Sequence, residues 1–277
     1  MLDLHIHTKL CGHAVGEMEE YIEVAINKGM AIFGFSDHLP HHHIPALKPY
    51  THLSMSEDIL SYYVKTVLEL KEKYSSKLDI LLGIEVDYDE GYENETRKIL
   101  GRYPFDYAIG SIHILGDWLF DSPRQIAEWN NRVTDEVYSE YYRNIKKLIL
   151  SGLFNIIGHF DLPKKFNHRP RQDFEETILD LAINLKNEGM VVEINSSGLR
   201  YAAQEVYPSK NILSVLKTES VDLTFGSDAH EPNQVGQNFS RALEIAQELN
   251  FSKFAYFKNQ EKLYLPLNEM TVTSVLS

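Results

Sequence analysis

The sequence contains a single cysteine, Cys11, in 277 residues, so no internal disulfide can form. A reducing compartment is the expected setting. No run of about 18 apolar residues occurs, so no membrane span is expected. Positive charge is scarce as well: 27 Lys and Arg stand against 40 Asp and Glu, a formal net charge of -13. Without a dense basic patch, a nucleic-acid surface is not expected. Acidity of this size suits simple solubility, or a protein that gathers divalent cations or a cationic substrate. The first residues enter a strand pattern with no basic-then-apolar leader, and a cytoplasmic location is the expectation. No linker, low-complexity tract or short repeat interrupts the chain.

What is present is histidine, twelve of them, and their positions are uneven. Met1 to His13 reads MLDLHIHTKLCGH. On a β-strand, side chains alternate between faces, so Asp3, His5 and His7 share one side and Leu2, Leu4 and Ile6 the other. His5 and His7 would stand roughly 6–7 Å apart, close enough to lean onto one metal ion. Asp3 on that face could hold a ring N–H. The competing reading is a solvated edge strand.

Strand and helix patterns then alternate throughout. Strands are expected at Leu2–Ile6, Ala31–Phe35, Leu78–Val86, Phe105–Ile112, Leu153–Ile157, Met190–Ile194 and Val221–Phe225. Helices are expected at Glu17–Lys28, Met55–Tyr74, Tyr92–Tyr103, Arg132–Ser151, Asp173–Glu188, Ser209–Lys217 and Asn238–Asn250. Leu39 to Ser54 reads as a loop rich in Pro and His, long enough to be a lid. Its run His41-His42-His43 reads more simply as solvated than as metal-binding. Phe254 to Leu265 reads as a hairpin around Asn259-Gln260.

Ala31–Phe35 and Val191–Ile194 are apolar on consecutive residues, as strands buried on both faces should be. The length, with 43% hydrophobic residues, is normal for one α/β barrel and enough for a large core. The expected architecture is one α/β barrel domain over 1–277, with a C-terminal strand or hairpin extension around 253–266. A doubly wound open sheet is the alternative, but its Gly-rich nucleotide turn is missing after the first strand.

The expected strand ends carry His5, His7, His13, Asp37-His38, Glu85, His113, His159 and Asp228-His230, with His168 further out in a loop. Taken singly, SDH or SDAH could be an Asx turn and Glu85 a core carboxylate paired with an arginine. Collected at the carboxyl ends of barrel strands, where barrel enzymes place their sites, they point to bound divalent ions. Buried carboxylates and imidazoles would otherwise destabilise the fold.

With HIH at 5–7, CGHA at 11–14, SDH at 36–38, GIEVD at 83–87, SIH at 111–113, GH at 158–159 and SDAH at 227–230, the chain resembles the PHP family of metal-dependent phosphoesterases. These motifs run in order through nearly the whole chain. EINSSGLR at 193–200, YPS at 207–209 and SIHILGDWLFD at 111–121 make it similar, within that family, to the histidinol-phosphate phosphatases. The resemblance implies a distorted seven-stranded (β/α) barrel and two to three divalent metals, zinc, manganese or iron. It also implies hydrolysis of L-histidinol phosphate to L-histidinol and phosphate, a step of histidine biosynthesis. Carried over by motif, His5, His7, Glu85 and Asp228 would bind one metal. Glu85 would bridge to a second held by His113 and His159. His13, His38 and His230 would bind the third, with Asp37 beside it rather than on it. Imidazole-rich sites suit such metals better than magnesium.

For catalysis the expected carboxylates are Glu85 and Asp228 on the metals, with Asp161 as proton donor to the leaving alkoxide or partner of a substrate amine. Its competing role is a turn cap. Arg200 is the expected phosphate clamp, a planar fork for two oxygens, with a surface salt bridge as its competing role and Asn195 in the same substrate-binding stretch. Lys164 or Lys165 could add a second positive group, though solvated lysines are the simpler reading. Trp118 and Phe120 could stack on the imidazole of the leaving group, and Asp117 or Asp121 could meet its ammonium, though each could equally be packing or a solvated loop.

Three rivals are weighed. Another PHP phosphoesterase would act on a different small phosphate monoester or a nucleotide. An amidohydrolase-type barrel also begins with His-x-His but usually bridges its metals with a carboxylated lysine, where this chain offers Glu85. A catalytically dead binding barrel would have lost ligands, and no expected position is missing.

Overall fold

A computed structural model describes residues 1–270; the last seven residues of the expected domain span, 271–277, lie outside the described residues. The chain runs β1 Leu2–Ile6, α1 Met18–Asn27, β2 Ile32–Phe35, α2 Glu57–Lys73, β3 Asp79–Asp87, α3 Glu93–Leu100 and β4 Tyr107–Ser111. A small hairpin follows, β5 Ile114–Leu115 and β6 Trp118–Leu119, then α4 Thr134–Leu150, β7 Ile156–Ile157 and α5 Glu175–Asn187. β8 Val191–Asn195, α6 Lys210–Thr218, β9 Asp222–Gly226 and α7 Phe239–Glu248 complete the alternation. The antiparallel pair β10 Lys253–Lys258 and β11 Glu261–Pro266 ends it.

Helix α1 shows how the sequence drives this. Met18, Tyr21, Ile22 and Ala25 fall on one stripe and are buried, while Glu17 and Glu20 satisfy each other's backbone amides at its start. The seven strands β1-β2-β3-β4-β7-β8-β9 form one parallel sheet in that order. The sheet closes between its ends: Ile6 bridges Ala229 in parallel, and His7 N–H donates to the Ala229 carbonyl at 2.9 Å. β3 pairs with β2 through Asp79–Leu82 and with β4 through Gly83–Asp87. That stagger tilts the strands, as closure requires. The barrel is therefore a distorted seven-stranded one, with β7 only two residues long.

Its interior is filled at one level by Tyr107, whose hydroxyl donates to the Leu4 carbonyl at 2.7 Å. The ring lies against Gly34 and Gly83, where any Cβ would collide with it. At the amino-terminal end of the barrel, Asn259 and Gln260 both take positive φ in the β10–β11 turn, as a two-residue hairpin turn demands. Their amides donate to Asp106, at 2.8 Å to Oδ1 and 3.0 Å to the carbonyl.

The stretch Leu39–Ser54 departs from the expectation of a plain loop. It folds as two short 3-10 helices, His41–His43 and Pro45–Leu53. Ile44 and Leu47 bury themselves against Ile114 of the small hairpin, which converts a polar-looking segment into a packed wall. No helix among the described residues is long and apolar enough to cross a membrane.

Candidate active site

All five residues of β1 are buried, so its polar alternates face the barrel interior rather than solvent. His5 and His7 continue that face, with ring centroids 5.1 Å apart. Glu85 enters from the second half of β3. Its Oε2 lies 3.4 Å from His5 Nε2, 3.5 Å from His7 Nε2 and 3.1 Å from His38 Nδ1. Its Oε1 lies 3.1 Å from His159 Nε2 and 3.7 Å from His113 Nε2. Asp228, just past β9, brings Oδ1 to 3.2 Å from His7 Nε2. The turns that deliver Asp228 and His159 hold both at positive φ, +53° and +24°. Backbone in these regions is costly for residues other than glycine and collects at functional sites.

Five groups of donors converge closely enough to share an ion, and three of them are made of expected ligands alone: His5, His7 and Asp228; Glu85, His113 and His159; and His7, His38 and His230. His13 closes on the third, with Nε2 3.0 Å from His230 Nε2. All nine residues expected at the metals thus meet at the carboxyl end of the barrel.

Hydrogen bonding on the far side of each ring tests whether these are ligands. His5 Nδ1 donates to Glu193 Oε2 at 2.8 Å, and His113 Nδ1 faces Asp87 Oδ1 at 2.8 Å. His13 Nδ1 faces the Cys11 carbonyl at 3.2 Å, and His230 Nδ1 the Asp228 carbonyl at 3.1 Å. A nitrogen facing a carbonyl or carboxylate carries the proton in the neutral ring, which leaves a bare lone pair on Nε2. His13 and His230 therefore aim two lone pairs at each other, and His5 aims one at Glu85. Two lone pairs at 3.0 Å repel unless a cation lies between or beside them. His5 Nε2 and Glu85 Oε2 are buried with no hydrogen-bond partner. The donor set fits divalent metals.

Protonation follows the same pattern. Burial alone would lift Glu85, but the imidazoles of His5, His38 and His113 hold it well below the usual carboxylate range. Burial pushes His13, His38 and His230 down, which keeps those rings neutral. Burial also opposes charge on His7, yet Asp228, Asp37 and Glu85 carry it up to about 9. His113 reaches about 10: Asp87 and Glu85 outweigh its burial. Carboxylates here demand positive charge, which protons or bound cations can supply.

A cavity of about 570 Å³ opens over this cluster. Leu47, Tyr50, Leu53, Leu119 and Pro123 contribute apolar lining to it. Arg200, Lys165, Asp121 and Ser197 contribute polar lining.

Arg200 has part of its fork engaged already: Nη1 and Nη2 donate to the Ser227 and Asp228 carbonyls at 2.9 and 2.8 Å. Lys165 Nζ sits 2.9 Å from Asp121 Oδ2. Asn195 is fully buried, donating to Glu193 Oε1 at 2.8 Å and lying 3.4 Å from Asp228 Oδ2. Asn195 thus steadies two carboxylates from beneath the cavity and does not line it.

Four expectations need correction. Asp161 does not face the cavity: its Oδ2 pairs with Lys164 Nζ at 2.7 Å and accepts the Ser209 amide at 3.0 Å. A carboxylate turned into that pair is badly placed to protonate a leaving group. Lys164 is equally spent, on Asp161 and the Val206 carbonyl, and it is Lys165 that reaches the cavity. Trp118 packs at 5.0 Å against Trp129 with the Arg132 guanidinium 4.2 Å over its ring, away from the cavity. Asp3 holds no ring; it accepts the amides of Ser227 and Gly236 at 2.9 and 3.0 Å and so ties down the exit of β9. His168 stacks on Trp129 outside the site.

Sequence reasoning overlooked two residues, Glu193 and Asp87, and read a third, His41, as solvated where the structure buries it. Glu193 holds His5 Nδ1 and the His159 amide. Asp87 holds His113. His41, buried at 6% exposure, brings Nε2 to 3.2 Å from Asp87 Oδ2. The period of two was the available signal for the first two: Glu85 and Asp87 alternate inward on β3, and Glu193 and Asn195 on β8.

The PHP domain family matches residues 3–197. The "Probable histidinol-phosphatase" of Deinococcus radiodurans is 35% identical over 252 residues, 90% of this chain and 94% of that protein. A crystal structure from Listeria monocytogenes superposes with a TM-score of 0.80 at 27% identity, covering 87% of this chain and 99% of that one. The histidinol phosphate phosphatase of Lactococcus lactis, solved with zinc, L-histidinol and phosphate, also reaches 0.80, at 19% identity over 95% of this chain and 98% of that one. Seven parallel strands closed into a barrel, imidazoles and carboxylates gathered at its carboxyl end and a match over most of that barrel agree: the chain belongs to the PHP domain family.

Proposed function

We propose that this chain is a metal-dependent phosphomonoesterase that hydrolyses L-histidinol phosphate to L-histidinol and phosphate. The observation that carries the reading is that His5 Nε2, His38 Nδ1 and Glu85 Oε2 are buried together without hydrogen-bond partners beside a cavity large enough for a small ester. The relatives named for histidinol phosphate narrow the substrate.

His5, His7, Glu85 and Asp228 would hold one metal, Glu85 with His113 and His159 a second, and His13, His38 and His230 a third. Bound there, zinc, manganese or iron would polarise the phosphoryl oxygens and lower the pKa of a water. The chain supplies the rest. Glu193 and Asp87 fix the tautomers of His5 and His113, so the ligand nitrogens need no rearrangement. Ser197 Oγ, 3.2 Å from Asp228 Oδ2, together with Asn195 leaves Asp228 Oδ1 directed at the cluster. Arg200 clamps the turn at Asp228 and offers its remaining donors to the phosphate. Lys165 adds a second positive group on that side, and Asp121 beside it is placed for the substrate ammonium.

The apolar wall of Tyr50, Leu53 and Leu119 would take the imidazole-bearing leaving group and exclude water from it. The reading treats the chain as one catalytic barrel with the β10–β11 hairpin as support. It places the protein in the cytoplasm, where the buried thiol of Cys11 stays reduced. Phosphate release from L-histidinol phosphate by metal-reconstituted protein, with and without chelator, tests it. Loss of activity on chelation is expected. A panel in which another monoester or a nucleotide is strongly preferred would overturn the substrate assignment.

A further inference from the structure

Asp87 divides its carboxylate between two histidines of different origin. Oδ1 holds His113 Nδ1 at 2.8 Å, and His113 Nε2 faces His159 and Glu85. Oδ2 stands 3.2 Å from His41 Nε2. His41 belongs to no strand; it begins the segment that walls the cavity. Its amide donates to Ser54 Oγ at 3.2 Å, tying the first residue of the segment to its end. Its Nδ1 faces the Tyr50 carbonyl at 3.3 Å, so the ring donates to both acceptors only when both of its nitrogens carry protons. The Tyr50 hydroxyl in turn donates to the Asp117 carbonyl at 3.1 Å and accepts from Gln125 Nε2 at 2.9 Å, and Gln125 Oε1 accepts the Leu119 amide at 3.2 Å. One run of polar contacts thus joins the apolar wall to a metal-facing imidazole.

We propose that His41 is a positioning residue, which sets the orientation of His113 through Asp87 and couples the leaving-group wall to the second metal position. The inference rests on the proposed phosphatase reading for its kinetic arm only. A carboxylate with one oxygen free can rotate about its Cβ–Cγ bond; one with a ring nitrogen packed against its second oxygen, as His41 Nε2 is at 3.2 Å, has less room to turn, and the ring it holds is steadied with it. Filling the wall with a leaving group would press on Tyr50, and the same contacts would reach His113. The segment's burial of Ile44 and Leu47 on the small hairpin makes it stiff enough to transmit that displacement.

The test compares His41→Ala, His41→Gln and Tyr50→Phe in the full chain. Zinc affinity is read by competition with a chromophoric chelator, and KM and kcat are read on L-histidinol phosphate. His41→Ala is expected to weaken one bound zinc about tenfold and to raise KM while lowering kcat. In His41→Gln the amide nitrogen takes the place of Nε2 toward Asp87, so zinc affinity should return to within a few-fold of the parent. Tyr50→Phe keeps the backbone carbonyl that faces His41, so only KM should rise. Unchanged zinc affinity in a folded His41→Ala protein overturns the proposal, as does equal loss in the Gln variant. If the parent protein fails to cleave L-histidinol phosphate, the substrate reading falls while the zinc arm still decides the role of His41.

Discussion

The two ends of the barrel treat acidic residues in opposite ways. At the amino-terminal end each buried or half-buried carboxylate has its own ammonium or amide donors. Asp106 takes Lys71 at 2.7 Å and the amides of Leu82 and Asn259 at 2.8 Å each. Asp79 takes Lys258, and Asp222 takes Lys262 and the Tyr264 hydroxyl. At the carboxyl end Glu85 and Asp228 face imidazoles, several of them held from behind, and His5 Nε2, His38 Nδ1 and Glu85 Oε2 are left without hydrogen-bond partners. One end is complete by itself. The other is complete only with cations from outside, which is how a barrel separates stability from chemistry.

Glu85→Gln should sharpen that contrast most. Phosphatase activity is expected to fall at least about 100-fold, and bound metal to drop in elemental analysis, because the bridging charge is gone. Circular dichroism of the metal-free variant should match the parent. Full metal content with full activity would break the assignment of Glu85.

Asp106→Ala should do the reverse. Its loss leaves Lys71 and two backbone amides without an acceptor, which costs about 3 kcal/mol in urea unfolding of the metal-free protein. KM and metal stoichiometry of the folded fraction should stay at parent values. A lowered metal count would mean that the two ends are not independent.

Adding zinc to stripped parent protein should raise stability by about 4 kcal/mol at a thousandfold excess over the dissociation constant. It should add nothing comparable to Glu85→Gln. Calorimetry of both proteins checks the difference.

Arg200→Ala should raise KM and lower turnover, together about tenfold in kcat/KM, since the fork serves both the turn at Asp228 and the phosphate. Unchanged kinetics would remove Arg200 from the site. Asp161→Asn should give the smallest kinetic effect, with the pH profile of kcat unshifted and only stability reduced, because the carboxylate faces Lys164. A shifted acid or base limb would restore it as a proton donor.

Much of this architecture can be read from local pattern. The alternation of β1, the capped stripe of α1 and the Asn259-Gln260 turn each follow from neighbours in the chain, and each stands where its pattern puts it. Leu39–Ser54 could not be read that way. Its Pro and His content looks solvated, and only the presence of Ile114 on the neighbouring small hairpin gives Ile44 and Leu47 something to bury against. The same limit explains Lys164 and Lys165. Adjacent residues carry equal charge, and nothing local says which one turns inward to Asp161 and which reaches Asp121.

Sequence alone determined the chemical inventory and its rhythm: imidazoles and acids at strand ends, a scarcity of positive charge, and strands apolar enough to be covered on both faces. Tertiary structure decided which atoms meet. Barrel closure through Ile6 and Ala229 brings residues more than two hundred positions apart into one cluster. It also sets which nitrogen of each ring is occupied from behind, because that depends on partners such as Glu193 and Asp87 arriving from other strands. Pattern along a chain records which face a side chain takes; only packing in three dimensions records what waits there.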